Sequence, residues 1–201
     1  MKIKRITVFG HALAKPQDPV FREAFEVCKL LGQKGFVIVN GGGPGVMRAA
    51  SLGAKTGGGK VIGVTFYPTE SEIFEGRDIK NPLDEEFKTR NYVERTLKLL
   101  ELGDVYLVFR GAAGTISEFG MAWELGHLYF GHNKPILLYG KFWHKIIEVL
   151  KKYMLLVPEE LQVFSIVERP GQVFEKLTEI EKKWAEIPHK HLRKTEAAFQ
   201  L

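Results

Sequence analysis

The chain has 201 residues, of which 45% are hydrophobic, 26% charged and 11% aromatic. This length suits one globular domain with its own core, and the composition excludes a disordered chain. No apolar stretch approaches the roughly 20 residues that cross a bilayer, so no membrane partner is expected. The basic N-terminus lacks the apolar core of a signal peptide. The lone Cys28 permits neither a disulfide nor a cysteine-based metal site, which favours the cytoplasm.

The net charge of +5 comes entirely from the first half of the chain. Residues 1–100 contain 16 Lys and Arg against 11 Asp and Glu, whereas residues 101–201 contain 13 of each class. The basic residues are scattered and form no stripe interleaved with aromatic side chains, so the pattern argues against a nucleic-acid partner. A small anionic ligand is favoured instead.

Short β-branched runs alternate with longer helical patterns, which is typical of an α/β fold with a parallel sheet and crossover helices. We predict strands near 3–9, 36–40, 60–66, 104–109, 135–139 and 162–167. We predict helices over about 18–34, 84–102, 115–130, 142–153 and 171–186. Residues 1–187 are expected to form a single domain, and residues 188–201 a C-terminal surface tail.

A glycine-rich segment lies where the second predicted strand ends and an Ala-rich helix begins. It contains Gly41, Gly42, Gly43 and Gly45. Glycines at such a turn let backbone N–H groups approach an anion, and the helix N-terminus adds partial positive charge. The segment matches neither a Walker A loop nor the dinucleotide fingerprint. We interpret it as a phosphate-binding loop, and a tight turn that merely needs positive φ is the alternative.

A second loop of small residues follows the strand predicted near 104–109. It contains Arg110, Gly111 and Gly114, and it leads into Thr115 and Glu118. Two such loops at the carboxyl ends of parallel strands can face one crevice, where ligands bind in open α/β sheets. Thr115 and Glu118 also match a capping box, so they cap the helix either alone or together with a ligand contact.

The helix predicted over 84–102 carries an arginine on its apolar stripe. The residues at spacings of three and four are Phe87, Arg90, Val93, Leu97 and Leu100. An arginine among core residues requires a carboxylate or a phosphate. We therefore expect Arg90 to meet either a ligand or a structural partner, for which Glu118 is the candidate.

Together these motifs resemble the Lonely Guy family, long mislabelled as lysine decarboxylases. The residues that carry the resemblance are Gly41-Gly42-Gly43-Pro44-Gly45-Val46-Met47, Arg90 and Gly111-x-x-Gly114-Thr115-x-x-Glu118. The resemblance implies a Rossmann-like, doubly wound and mainly parallel sheet with helices on both faces, usually in a homodimer whose subunits complete each other's sites. Characterised members are cytokinin-activating phosphoribohydrolases, which split a nucleoside 5′-monophosphate into free base and ribose 5-phosphate.

The resemblance also implies roles for single residues. Arg90 and Glu118 are the implied catalytic pair, with Arg90 orienting the substrate and Glu118 stabilising a ribosyl cation or positioning water. The phosphate is expected on Gly41, Gly42, Gly43, Gly45, Arg110, Gly111, Gly114 and Thr115. No metal and no cofactor are expected. A pyridoxal-phosphate enzyme needs a dedicated Schiff-base lysine, and Lys145, after His144, suits the surface of an amphipathic helix.

The sequence departs from the family's second motif, Pro-Gly-Gly-x-Gly-Thr-x-x-Glu, at two positions. Arg110 replaces the proline, and Ala112 replaces the second glycine. Arg90 is followed by Asn91 instead of lysine, a pair more similar to the related molybdenum-cofactor carrier proteins. A non-catalytic nucleotide or molybdenum-cofactor carrier is therefore the alternative function. The loop from Phe66 to Pro82 is expected to supply part of the pocket wall, and its sequence does not specify the base.

The helix predicted from Thr115 to Phe130 is apolar around almost its whole circumference. Its apolar residues are Ile116, Phe119, Met121, Ala122, Trp123, Leu125, Leu128, Tyr129 and Phe130. Such a helix must be buried on more than one side. We expect a homodimer or a higher even-numbered oligomer with this helix in the contact and its aromatic residues in the interface core. Burial within its own chain is the alternative.

Overall fold

The computed structural model describes residues 3–67 and 76–186, which form an α/β domain built on one sheet. The strands of this sheet are β1 (Arg5–Phe9), β2 (Val37–Asn40), β3 (Val61–Phe66), β4 (Glu85–Thr89), β5 (Val105–Val108), β6 (Ile136–Tyr139) and β7 (Phe164–Val167). Neighbouring strands are all parallel, in the order β4-β3-β2-β1-β5-β6-β7. The predicted parallel sheet is therefore confirmed.

The direction of strand addition reverses at β1. From β1 the chain adds β2, β3 and β4 on one side, and it then returns to place β5 on the other side of β1, with Ile6 beside Val105. At such a switch point, the connections that follow the two adjacent strands lead to opposite faces of the sheet and leave a crevice beyond the strand ends. The topology therefore places a ligand site after β1 and β5.

Helices cover both faces of the sheet. One face is covered by α1 (Pro19–Gln33), α2 (Val46–Thr56) and α6 (Pro170–Glu186). The other face is covered by α3 (Tyr92–Leu102), α4 (Ala113–Leu128) and α5 (Phe142–Tyr153). A short 3₁₀ turn at Glu160–Gln162 precedes β7. The inner strands are buried between two apolar clusters, which confirms the predicted Rossmann-like, doubly wound arrangement.

The prediction of a single helix over 84–102 is wrong. Residues Glu85–Thr89 form β4, which pairs with β3 at the edge of the sheet, and α3 begins only at Tyr92. The strand is largely exposed, and three of its five residues are charged. Phe87 is its one large apolar residue. That phenylalanine happens to continue the spacing of the following helix. An exposed edge strand carries too little apolar alternation to be told from a helical turn.

One prediction concerns residues that the structure does not describe. The predicted tail, 188–201, lies outside the described residues, so a domain boundary at residue 187 stays a prediction.

Within residues 3–67 and 76–186, no helix combines the length and the apolar character that crossing a membrane requires. The cytoplasmic location likewise stays a prediction.

Candidate active site at the strand switch point

A cavity of about 230 Å³ opens at the switch point, beyond the end of β1. Both loops predicted to bind phosphate reach it, through Gly41 and Gly114, and so do the starts of α3 and α4. The lining residues are Val8, Phe9, Gly10, His11, Ala12, Gly41, Met47, Phe66, Gly76, Arg77, Tyr92, Arg95, Ala112, Gly114, Thr115 and Glu118. Residues from distant parts of the chain thus meet in one concave site.

Two oppositely charged side chains face each other in this cavity. Arg95 comes from the first turn of α3 and Glu118 from the second turn of α4, with Nη1 and Oε1 3.6 Å apart. Their side chains are only 10% and 9% exposed. Arg95 Nε donates to the carbonyl of Val64 at 3.1 Å, and the guanidinium lies 6.0 Å from the ring centroid of Phe66. The backbone and an aromatic ring therefore hold the guanidinium in place independently of the carboxylate.

The carboxyl of Glu118 is strongly perturbed. Burial raises its pKa to about 7, and the nearby charge of Arg95 opposes this shift only in part. The two groups are too far apart for a short charge-assisted hydrogen bond, which would lower the pKa of the acid. A carboxyl with a pKa near neutrality is present in both protonation states at neutral pH. Such groups are typical of sites that transfer protons.

The first glycine-rich loop makes room for Arg95. A methyl group at Gly41 would overlap Nη2 of Arg95, so only glycine permits the guanidinium to lie there. The same Nη2 lies 3.5 Å from the sulfur of Met47, at the start of α2. Gly41 therefore determines where the positive charge of the cavity is placed.

The other three glycines of this loop serve its own conformation and do not line the cavity. Gly42 and Gly45 have φ values of +67° and +63°, which favour glycine. The N–H of Gly42 donates to Oδ1 of Asn40 at 2.8 Å, and the carbonyl of Gly43 accepts from Nδ2 of Asn81 at 2.8 Å. The alternative interpretation, a turn that needs positive φ, thus describes Gly42 and Gly45.

The second loop brings the N-terminus of α4 to the cavity. The helix begins at Ala113, its N-cap is Ala112, and no side chain caps it. The predicted capping box is therefore wrong, because Thr115 already lies inside the first turn. The N–H groups of Ala113, Gly114 and Thr115 have no acceptor within the helix. With the buried Thr115 side chain at the cavity wall, they suit an anion such as phosphate.

The two departures from the family motif have different consequences. Arg110 does not line the cavity, and its guanidinium lies 5.8 Å from the ring centroid of Phe142. Ala112 does line the cavity, with an extended backbone that any residue adopts, so its methyl group takes up space without backbone strain. Gly111 does not line the cavity, and a methyl group there would overlap Oγ1 of Thr115.

The predicted placement of Arg90 on a buried stripe opposite Glu118 is wrong. Its side chain is 88% exposed, and its Nε donates to Oε1 of Glu94 at 2.6 Å. Asn91 is the N-cap of α3, where its side chain accepts the N–H of Glu94 at 2.9 Å. The error came from starting the helix too early. In a helix that begins at Tyr92, the arginine that shares a face with core residues is Arg95.

The spacing of α3 contains the signal that identifies this arginine. Arg95 lies four residues before Leu99 and seven before Leu102, and all three are buried. That spacing places them on one helix face. An arginine on that face requires an anionic or polar partner, which Glu118 and the Val64 carbonyl provide.

Further lining residues come from single positions in loops and at the ends of a strand and a helix. Phe66 and Arg77 belong to the loop that was expected to supply part of the wall, of which residues 68–75 lie outside the described part. Sequence reasoning missed His11 and Tyr92, because no motif surrounds them. The Tyr92 hydroxyl donates to the carbonyl of Gly114 at 3.3 Å and so ties the start of α3 to the start of α4.

A metal centre is not suggested by the donors in the cavity. Its described lining offers one histidine and one carboxylate, His11 and Glu118, fewer than metal sites use. On the surface, Glu124, His127 and Glu160 offer ligand atoms within 4.8 Å of one another. Glu160 already accepts the N–H of Val157 at 2.6 Å.

The exposed Lys145 fits its predicted place on the surface of α5.

Comparison with known proteins identifies the family. A family model described as the SLOG cluster4 family matches residues 3–155. The chain belongs to this family. It is also 29% identical over 141 residues to a cytokinin riboside 5′-monophosphate phosphoribohydrolase of Mycobacterium tuberculosis, covering 69% of this chain and 72% of that protein. The resemblance to the Lonely Guy family is therefore confirmed.

Two further proteins resemble this SLOG chain. An uncharacterised protein of Archaeoglobus fulgidus is 29% identical over 141 residues, covering 70% of this chain and 87% of that protein. The molybdenum cofactor binding protein from Rippkaea orientalis superposes with a TM-score of 0.66 at 23% identity, over 90% of this chain and 98% of that one. The likeness to the molybdenum cofactor binding protein shows a shared fold.

The buried carboxyl of Glu118 makes stability depend on pH. Its pKa is raised from 4.5 to about 7 in the folded protein. Between these values the folded state binds more protons than the unfolded state, so the free energy of unfolding falls as pH rises. Glu118→Gln should lack this fall when urea unfolding is followed from pH 5 to 8. Glu148→Gln, at an exposed position of α5, should follow the wild type. Parallel curves for wild type and Glu118→Gln would contradict the burial of an ionisable carboxyl.

Arg95 and Arg90 form a matched pair for mutation. Arg95→Met leaves the Val64 carbonyl and Glu118 without their partner, so we expect a lower melting temperature and weaker binding of ribose 5-phosphate. Arg90→Met removes only an exposed pair with Glu94, so both quantities should stay near the wild-type values. Calorimetric titration and thermal unfolding measure the two effects. Equal losses in the two variants would remove Arg95 from the site.

Proposed function

We propose that this SLOG cluster4 protein is a nucleoside 5′-monophosphate phosphoribohydrolase. The observation that carries the proposal is the buried carboxyl of Glu118, which lies 3.6 Å from Arg95 in a cavity at the N-terminus of α4. An anion site and a carboxyl with a pKa of about 7 in one cavity suit hydrolysis of a phosphorylated N-glycoside. The relative in M. tuberculosis, which carries this activity in its name, supports the reaction class.

The proposed substrate lies along the crevice in a defined direction. Its phosphate accepts hydrogen bonds from the N–H groups of Ala113, Gly114 and Thr115, and from the Thr115 hydroxyl. Glu118 is one turn further along α4, which places its carboxyl beside the ribose. Arg95, held by the Val64 carbonyl next to Glu118, orients the sugar.

Cleavage of the glycosidic bond proceeds through an oxocarbenium-like state. The electron pair of the bond between ribose C1 and the base nitrogen leaves with the base, and positive charge develops at C1. The ionised carboxylate of Glu118 stabilises this charge and accepts a proton from the water that attacks C1. The base leaves with a proton from solvent, and the products are free base and ribose 5-phosphate.

The alternative function is a carrier that binds a nucleotide or the molybdenum cofactor without hydrolysis. The observation that favours it is the methyl group of Ala112, which occupies the cavity wall where the Lonely Guy motif has glycine. The protein from R. orientalis, which binds the molybdenum cofactor, has the same fold. A carrier of this kind would use the same anion site and would leave Glu118 without a chemical task.

The two functions are separated by Glu118→Gln. The amide keeps the shape of the carboxyl but lacks its negative charge and its basicity. We expect release of free base from AMP, GMP or IMP by the wild type and a loss of about a hundredfold or more in the variant. Binding of ribose 5-phosphate should persist in both. A wild type that binds these nucleotides, is stabilised thermally by them and releases no base is a carrier.

We further propose that the protein is a homodimer, with an exposed face of α4 in the contact. Ile116 and Leu128 on α4 are 49% and 63% exposed, and Val93 at the start of α3 is 59% exposed. Trp123 does not belong to this face as expected, because it stacks on Phe119 with centroids 5.2 Å apart and donates to the carbonyl of Glu160. Of the aromatic residues expected in the interface core, Tyr129 and Phe130 are accessible, 39% and 44% exposed after the end of α4.

Light scattering tests the assembly. The wild type should have twice the mass of one chain at micromolar concentration, and Ile116→Glu should be monomeric because it buries a charge in the contact. Leu52→Glu, on α2 at the opposite face of the sheet, is the matched control and should stay dimeric. A monomeric wild type would rule out the dimer and any site shared between subunits.

A further inference from the structure

A second arginine, Arg77, lines the cavity and has no part in the reaction proposed above. Its side chain is 17% exposed. It follows β3 in the chain and lies beside the first glycine loop, where the position of a Gly42 methyl group would be 3.5 Å from Cδ of Arg77. The cavity therefore carries two positive charges, and only Arg95 faces a carboxylate that also lines the cavity.

The guanidinium of Arg77 is fixed in orientation by three groups. Its Nε lies 3.6 Å from Oε1 of Glu86, on β4, and the same oxygen accepts a 2.7 Å hydrogen bond from the hydroxyl of Thr65. Its Nη1 donates to the carbonyls of Asp78 and Asn81. Among the described residues, no acceptor is found for Nη2. As far as the described residues show, Arg77 thus presents N–H donors of fixed orientation with hydrogen-bonding capacity left for a ligand.

The strand order determines which part of the substrate Arg77 meets. The N-terminus of α4 follows β5, whereas Arg77 follows β3 and pairs with β4. From β5 to β3 there are three strand spacings, about 14 Å. Arg95 and Glu118 lie between these two ends. A nucleotide with its phosphate at α4 and its ribose at Glu118 therefore directs its base toward Phe66 and Arg77.

We propose that Arg77 determines base specificity by donating hydrogen bonds to a carbonyl oxygen of the base, so that 6-oxopurine monophosphates are preferred over AMP. This inference rests on the proposed placement of the phosphate and the ribose. Arginine has donors and no acceptor. Guanine and hypoxanthine present two adjacent acceptors, O6 and N7, whereas adenine presents an amino donor at position 6. The donor of adenine meets the donors of Arg77, and the mismatch leaves both unpaired.

The test compares IMP with AMP, which differ in the substituent at position 6 of the purine and in the proton that N1 of hypoxanthine carries. For the wild type we expect kcat/KM for IMP to exceed that for AMP by about tenfold or more. Arg77→Met should abolish the preference, because kcat/KM for IMP falls and the unfavourable meeting of two donors with AMP is removed. Binding of ribose 5-phosphate, which has no base, should stay near the wild-type value. Arg77→Lys, which keeps one donor group, should retain part of the preference. Since the preference of the wild type is itself informative, the test does not depend on a variant that folds.

Arg48→Met is the matched control. Arg48 pairs with Asp78 at 2.9 Å, beside Arg77, and does not line the cavity. Loss of Arg48 perturbs the loop around Asp78 without removing a donor from the cavity. The kcat/KM values for IMP and AMP should therefore change by the same factor. If Arg48→Met abolished the preference for IMP as Arg77→Met does, the effect would come from a disturbed loop around Asp78, and the role of Arg77 would be overturned.

The remaining outcomes separate this inference from the hydrolase proposal. Equal or better use of AMP by the wild type overturns the role of Arg77 and leaves the hydrolase intact. Tighter binding of IMP than of AMP, lost in Arg77→Met and without release of base, overturns the hydrolase and leaves the specificity role intact. If Arg77→Met weakens binding of ADP but not of AMP or IMP, Arg77 binds a second phosphate, and the base assignment is overturned.

Discussion

The site depends on the burial of one arginine and one glutamate that do not neutralise each other. Burial removes both groups from water, which is unfavourable for any charge without a close partner. The 3.6 Å between Arg95 and Glu118 is too long to compensate for that loss, so the pKa of the acid rises to about 7. The carbonyl of Val64 and the space left by Gly41 hold the arginine there. The need to hold the Arg95 guanidinium in the cavity thus explains the glycine at position 41.

The sequence predicts the fold far better than it predicts the site. Buried strands such as Val61–Phe66 are runs of β-branched residues, and their positions follow from that pattern. The exposed strand Glu85–Thr89 has no such pattern, and missing it moved the start of α3 and assigned the cavity arginine to Arg90 instead of Arg95. A boundary error of a few residues, harmless for the fold, is enough to select the wrong side chain.

The glycine motifs, too, were easier to locate in the sequence than to assign a contact. Consecutive glycines indicate that something approaches the backbone closely, but they do not indicate what approaches. At Gly41 the approaching group is the guanidinium of Arg95, and at Gly45 it is the backbone of the loop after β1. Of the glycines expected to bind phosphate, Gly41 and Gly114 therefore line the cavity, whereas Gly42, Gly43, Gly45 and Gly111 do not.

In the proposed reaction, Glu118 acts in its ionised form. With a pKa of about 7, a substantial fraction of this carboxyl is ionised at neutral pH, and that fraction can stabilise the ribosyl cation and accept a proton from the attacking water. Its attraction to the ribose appears only when positive charge develops at C1, and interactions that strengthen between ground state and transition state accelerate a reaction. A carboxylate already neutralised by a tightly paired arginine would stabilise that charge less. The loose pairing with Arg95 is therefore useful because it leaves the negative charge of Glu118 available to the substrate.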